Sequence, residues 1–165
     1  MNGSDYVGDD ETKSYYVSSQ SNWAYSCSGT FASVTSNSSD YVKNTTYEIS
    51  NDLYVTAHIC PVSLKYYGFC LRQGKYVVTL HFAEICRFTI ANTFKELLDD
   101  RVLENFNPKA AIGTAKKEVI RSFNASVKQD HMLRIHLYWA GKGSLPANEP
   151  LISAISVTPG MKSPQ

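Results

Sequence analysis

Residues 75–84, KYVVTLHFAE, constrain the fold more than any other stretch of the chain. Tyr76, Val78, Leu80 and Phe82 alternate with Lys75, Val77, Thr79, His81 and Ala83. A period of two sustained over this length demands an extended strand with one wholly apolar face. The other face is mixed, so it needs only partial cover. Residues 132–139 repeat the device, with Leu133, Ile135, Leu137 and Trp139 inside and Arg134, His136 and Tyr138 outside. Residues 118–127 place Val119, Arg121, Phe123, Ala125 and Val127 on one side and Ile120, Ser122, Asn124 and Ser126 on the other.

Further strands are expected at 14–17, 53–60, 64–70, 101–106 and 151–157. In the second of these, Leu53, Val55, Ala57 and Ile59 share a face, and Pro61 stops the strand. Gly68 marks a bulge in the third. The turn Arg72-Gln-Gly-Lys should join that strand to the one at 75–84 as a hairpin. Residues 22–29 read as a loop carrying aromatics, and residues 35–46 as a Ser/Asn/Thr loop. Residues 91–102 break the pattern. Phe94, Leu97, Leu98 and Val102 have helical spacing, and Thr93 with Glu96 resembles a capping box, so a short helix is expected there. Many short strands with little helix imply a β-sandwich. The 165 residues suffice for one core. The expected division is a flexible, acidic segment at 1–13, a domain at 14–159 and a tail at 160–165.

The net charge of +1 and the lack of a basic run argue against a nucleic-acid partner. No stretch approaches the roughly 20 apolar residues of a membrane span, so direct membrane insertion is not expected. The residues after Met1 contain no apolar leader. The sequons Asn2-Gly-Ser, Asn37-Ser-Ser, Asn44-Thr-Thr and Asn124-Ala-Ser nevertheless point to a secretory compartment, as do Cys27, Cys60, Cys70 and Cys86. The chain therefore reads as a piece of a longer protein. The cysteines fit two disulfides in any of three pairings, or buried thiols; a local Cys60–Cys70 bridge is one option.

Binding chemistry is sought in the aromatics. A sugar needs a flat ring for its C–H face and a few amides or carboxylates for its hydroxyls. Trp23, Tyr25, Tyr54, Tyr66, Tyr67 and Asn148 are the carbohydrate-binding candidates. Each has a plain alternative as a packing residue, since rings also fill cores and strands. Trp139 reads as core. A glycosidase needs two carboxylates facing each other across a sugar, and Glu84, Asp99 and Asp100 assert no such pair. No nucleophile or phosphate motif accompanies them, so no catalytic residue is named. His58, His81, His131 and His136 lack metal-ligand spacing, and neither a metal nor a cofactor is called for.

Six short motifs, in order, resemble one known family. They are Asn22-Trp, Leu64-Lys-Tyr-Tyr-Gly-Phe-Cys-Leu, His81-Phe-Ala-Glu-Ile, Val102-Leu-Glu-Asn-Phe-Asn, Leu137-Tyr-Trp-Ala-Gly-Lys-Gly and Pro150-Leu-Ile-Ser-Ala-Ile-Ser-Val. Together they are similar to the malectin-like domain of plant leucine-rich-repeat receptor-like serine/threonine kinases. The resemblance implies an all-β, malectin-like jelly-roll sandwich with one short helix. It would lie on the extracellular side of the plasma membrane as a non-catalytic part of a longer receptor. Its implied partners are a cell-wall oligosaccharide or other glycan, or a co-receptor ectodomain. Two departures stand out. The family's Phe-Asp-x-Tyr-Ile-Gln-Gly strand is replaced by Phe94-Lys-Glu-Leu-Leu-Asp-Asp after a shortened loop. The sugar-contacting positions of the animal members fall on Ile59, Cys86 and Arg87, with an acidic one close to Asn148, so that site is not carried over intact.

Overall fold

The structure, a computed structural model, describes residues 6–9, 13–31, 41–44, 51–83, 94–98, 101–106, 118–139 and 150–160. In chain order the strands are β1 (Tyr15–Val17), β2 (Trp23–Ser28), β3 (Val42–Asn44), β4 (Thr56–Ile59), β5 (Ser63–Gly68) and β6 (Gly74–Phe82). They continue as β7 (Phe94–Leu98), β8 (Arg101–Phe106), β9 (Val119–Val127), β10 (Leu133–Trp139), β11 (Leu151–Ile152) and β12 (Ala154–Pro159). A 3-10 turn at Asp52–Tyr54 precedes β4, and the Asn51 side chain caps it by accepting from the Leu53 amide.

One sheet has six strands in the order β1-β2-β5-β10-β7-β8. Two further sheets of three strands are β11-β4-β3 and β12-β6-β9. β11 and β12 are one path broken at Ser153, whose amide donates to the His81 carbonyl of β6. The core draws on all three sheets. Tyr76, Val78, Leu80 and Phe82 of β6 are buried there with Leu64 of β5, Leu133, Ile135 and Leu137 of β10, and Ala125 and Val127 of β9. The period-two reading of these strands therefore names their buried faces correctly. The fold is an all-β sandwich.

Several expectations are corrected. Where a short helix was expected at 91–102, the described residues are strand: β7 and β8 pair antiparallel with each other, and β7 also pairs with β10. Two sheet neighbours offset the local helical preference of so short a segment. The expected hairpin between β5 and β6 does not form. Both edges of β5 are taken, by β2 and β10, so residues 69–73 carry the chain to a different sheet. Gly68 is no bulge, since it sits in unbroken register with Trp23 and Leu133. Residues 22–29 are largely strand rather than loop, because Trp23, Tyr25 and Cys27 alternate toward the core. The start of the strand expected at 53–60 is the 3-10 turn, and only Thr56–Ile59 is extended.

Cys27 is bonded to Cys60, with their Cα atoms 5.6 Å apart. The Cys60–Cys70 option is thereby excluded. Cys70 is a free, exposed thiol at φ 56°, beyond the end of β5. Cys86 lies outside the described residues. Among the described residues no helix is long and apolar enough to cross a membrane.

Candidate functional site

The inner face of the six-stranded sheet carries a row of rings. Antiparallel register sets Tyr16 of β1 opposite Tyr25 of β2, and Tyr25 opposite Tyr66 of β5. Directly opposed side chains on one face are close enough to touch, and aromatic pairs there are favourable. Tyr25 and Tyr66 have centroids 5.8 Å apart, and Trp23 lies 6.3 Å from each. Tyr16 adds a contact of 5.3 Å to Trp23. From β4, His58 meets Tyr25 edge to face at 4.4 Å.

The polar edges of this cluster are met by the segment ahead of β1. The Tyr25 hydroxyl donates to the Lys13 carbonyl at 2.9 Å. The Tyr66 hydroxyl donates to Oδ2 of Asp9. That oxygen is also 3.3 Å from Nδ1 of His58, without the alignment of a hydrogen bond. The His58 side chain is 2% exposed and that of Asp9 21%. Burial, then the neighbouring Asp9 carboxylate, hold the Tyr66 phenol well above its usual range. It is therefore a protonated donor at neutral pH. Among the described residues, Oδ1 of Asp9 and both ring nitrogens of His58 have no hydrogen-bond partner.

A second polar cluster lies beside Tyr6. The Tyr54 hydroxyl and Nδ1 of His81 share a hydrogen bond of 2.9 Å, and the Tyr6 hydroxyl is 3.4 Å from Nε2 of the same ring. Burial lowers the His81 pKa. Burial, then Glu118, then Tyr6 raise that of Tyr54. Neutral His81 can thus donate to one tyrosine and accept from the other. Residues 6 and 9, expected to be loose, each touch a buried histidine.

The sugar candidates do not converge. Tyr25 and Tyr54 are each 2% exposed and pack in the core. The Tyr66 hydroxyl is occupied by Asp9. Trp23 is half-buried among the tyrosines on the inner face. Tyr67 lies on the opposite face of β5, where its ring runs parallel to Phe69 at 6.3 Å. That outer face also carries Lys65, Arg134 paired with Asp130 at 2.8 Å, and His136 beside Tyr138. Asn148, Glu84, Arg87, Asp99 and Asp100 lie outside the described residues, as do the sequon asparagines Asn2 and Asn37. Asn44 and Asn124 are exposed, at the end of β3 and on the outward face of β9.

Asp9, Tyr6, His58 and His81 were not singled out as binding residues by the sequence. His58 and His81 fall at ordinary strand positions, and Asp9 stands in a polar stretch with nothing in the sequence to set it apart. Only the approach of three chain segments brings them together. Among the described residues no group of His, Cys, Asp and Glu could hold a metal ion.

The malectin domain family model matches residues 1–155. A probable leucine-rich-repeat receptor-like serine/threonine-protein kinase of Arabidopsis thaliana is 39% identical over 183 aligned positions, covering 96% of this chain and 18% of the relative. A second Arabidopsis kinase of the same description is 36% identical, covering 91% of this chain and 16% of its own length. The chain thus spans less than a fifth of these relatives, and the match covers no kinase domain. Among solved structures, the ANXUR2 extracellular domain from Arabidopsis thaliana superposes with a TM-score of 0.62 at 19% identity, over 72% of this chain and 33% of that one. A complex of the plant peptide RALF23 with FER and LLG2 superposes with a TM-score of 0.58 at 19% identity, over 72% of this chain and 32% of that one. The six ordered motifs, the all-β sandwich and the match over nearly the whole length agree: this chain belongs to the malectin domain family.

Proposed function

We propose that this chain is an extracellular recognition module of a plant receptor-like serine/threonine kinase, non-catalytic in itself, that engages a peptide or a partner ectodomain. The observation that carries this reading is the closure of the aromatic cluster. Tyr25 and Tyr54 are buried and Tyr66 is capped by Asp9, so the rings that would cradle a sugar are used for packing. The peptide complex of a structural neighbour supports the same reading. The test is a binding titration of the glycosylated chain against RALF23 and the LLG2 ectodomain, beside a panel of other secreted peptides. Saturable binding to one of them is expected; silence across the whole panel would sink the reading.

A sugar reading keeps one observation in its favour. Tyr67 and Phe69 present parallel, half-exposed rings beside Arg134 on the outer face. Cell-wall oligosaccharide titration would then show binding that Tyr67→Ala removes while leaving partner binding intact. Glycosidase activity would instead require turnover that disappears in Glu84→Gln.

A further inference from the structure

Residues 6–9 belong to no strand, yet they meet two polar positions in the sandwich. The Asp9 carboxylate accepts from the Tyr66 hydroxyl of β5 and lies against the His58 ring of β4. The Tyr6 ring meets His81 of β6 edge to face at 6.0 Å, with its hydroxyl 3.4 Å from Nε2. One short segment therefore docks on strands from all three sheets.

The fit is incomplete. The His58 side chain is 2% exposed, yet among the described residues neither of its ring nitrogens has a hydrogen-bond partner, Nδ1 having only the 3.3 Å contact with Asp9 Oδ2, and neither does Oδ1 of Asp9. Folded proteins leave few buried polar atoms unpaired, because each loses its hydration without compensation. Nδ1 of His58 faces Asp9 Oδ2 at 3.3 Å without bonding to it, and the second carboxylate oxygen is also unused, so a carboxylate seated slightly differently would bond to His58 as well as to Tyr66. The other groups packed on His58 are the rings of Tyr25, Tyr41 and Tyr66, so Asp9 is the only acidic side chain in contact with it among the described residues. A neutral saccharide would not replace the charge-assisted bond from Tyr66, whereas an acidic peptide would.

We propose that His58 and Tyr66, with His81 as a second anchor, form a binding site for an acidic polypeptide segment of a partner, an aromatic residue followed three positions later by an aspartate, and that residues 6–9 fill this site in cis until displaced. The proposal rests on the protein-partner reading above. It names the chemistry of the partner and a built-in competitor for it.

The test uses the full chain carrying Tyr6→Ala and Asp9→Ala, which vacates the site. The probe is the capped peptide acetyl-Tyr-Val-Gly-Asp-amide, with acetyl-Tyr-Val-Gly-Asn-amide as control. Ring NMR signals of His58 and Tyr66 report occupancy, and tryptic cleavage after Lys13 reports release of the segment. The variant should bind the Asp peptide at least about tenfold more tightly than wild type does, and the Asn peptide at least about tenfold more weakly, as expected for loss of a charge-assisted hydrogen bond. Equal binding of the two peptides overturns the proposal. So does an absence of binding by a variant that still melts cooperatively.

Should the double variant not fold, Asp9→Asn serves in its place. It should speed cleavage after Lys13 and admit the Asp peptide; unchanged cleavage with no peptide binding overturns the site. Partner capture that is indifferent to Asp9→Asn also overturns this site while leaving the partner reading intact. Specific binding of the Asp peptide supports the site even where no partner ectodomain is captured, an outcome that counts against the partner reading alone.

Discussion

The Tyr66 hydroxyl is one atom with two dependants. It donates to Asp9, and that contact holds residues 6–9 against β4 and β5. Tyr66→Phe keeps the ring and its packing on Trp23 and Tyr25 but leaves the carboxylate without its donor. A loss of about 1–3 kcal/mol is expected, since the bond is to a charged group and its partner stays partly buried. Urea unfolding would measure it, and a loss below the error of extrapolation would show the contact to be idle. His81 sets a pH dependence opposite to that of a histidine held protonated by an acidic partner. Its folded pKa lies below the unfolded value near 6.5, because burial penalises the charged ring. Between the two values the unfolded chain binds more protons than the folded one. His81 therefore costs nothing above the unfolded value, and stability falls as pH drops below it. His136 has the same sign, from burial first and Lys65 second. A melting temperature followed from pH 8 to 5 should decline on the acid side, and His81→Gln should flatten that decline. None of these relations could be read at the residue itself in the sequence: Asp9, Tyr66 and His81 are far apart in the chain.

At the scale of elements, β2 is held in two ways. Its register with β5 pairs Cys27 with Leu64, and the disulfide then ties β2 to Cys60, just past the end of β4. The bridge joins two different sheets across a sequence separation of 33. Replacing both cysteines by serine is expected to cost about 2–4 kcal/mol, from the freed unfolded chain. Reduction of the wild type should give a similar loss; no change on reduction would refute the pairing. Close by, Gly29 has φ 98°, and a Cβ there would lie 2.7 Å from Cγ2 of Val62. Gly29→Ala combines that clash with a left-handed backbone, and about 1–2 kcal/mol of destabilisation in thermal melts is expected. The alternating strands were legible because their faces differ in polarity. β7 was not, because Phe94, Leu97 and Leu98 satisfy a helix locally while Phe94, Glu96 and Leu98 equally satisfy one side of a strand. β10 on one side and β8 on the other resolve that ambiguity.

For the molecule as a whole, exposure of Asn124 on β9 and Asn44 at the end of β3 supports glycans that point away from the core. Chain secreted from a eukaryotic host is expected to lose mass on treatment with an amidase for N-linked glycans, and Asn124→Gln to remove one such step; an unmodified secreted chain would refute this. A glycan there would cover the outward side of β9 and leave the six-stranded sheet and the docked segment at 6–9 as the faces open to a partner. The sequence by itself determined the all-β class, the inward residues of β6, β9 and β10, and, through ordered motifs, the family. Those follow from period-two polarity and from short local patterns, which a linear string contains. Only the tertiary structure decided that β5 spends both edges on β2 and β10, that Cys27 chooses Cys60, that the tyrosines thought to face a sugar are packed away, and that Asp9 reaches His58 and Tyr66. These depend on which distant segments share an edge or a cavity. Edge pairing and burial are set by the competition of all segments at once, and the local pattern of any one of them does not encode it.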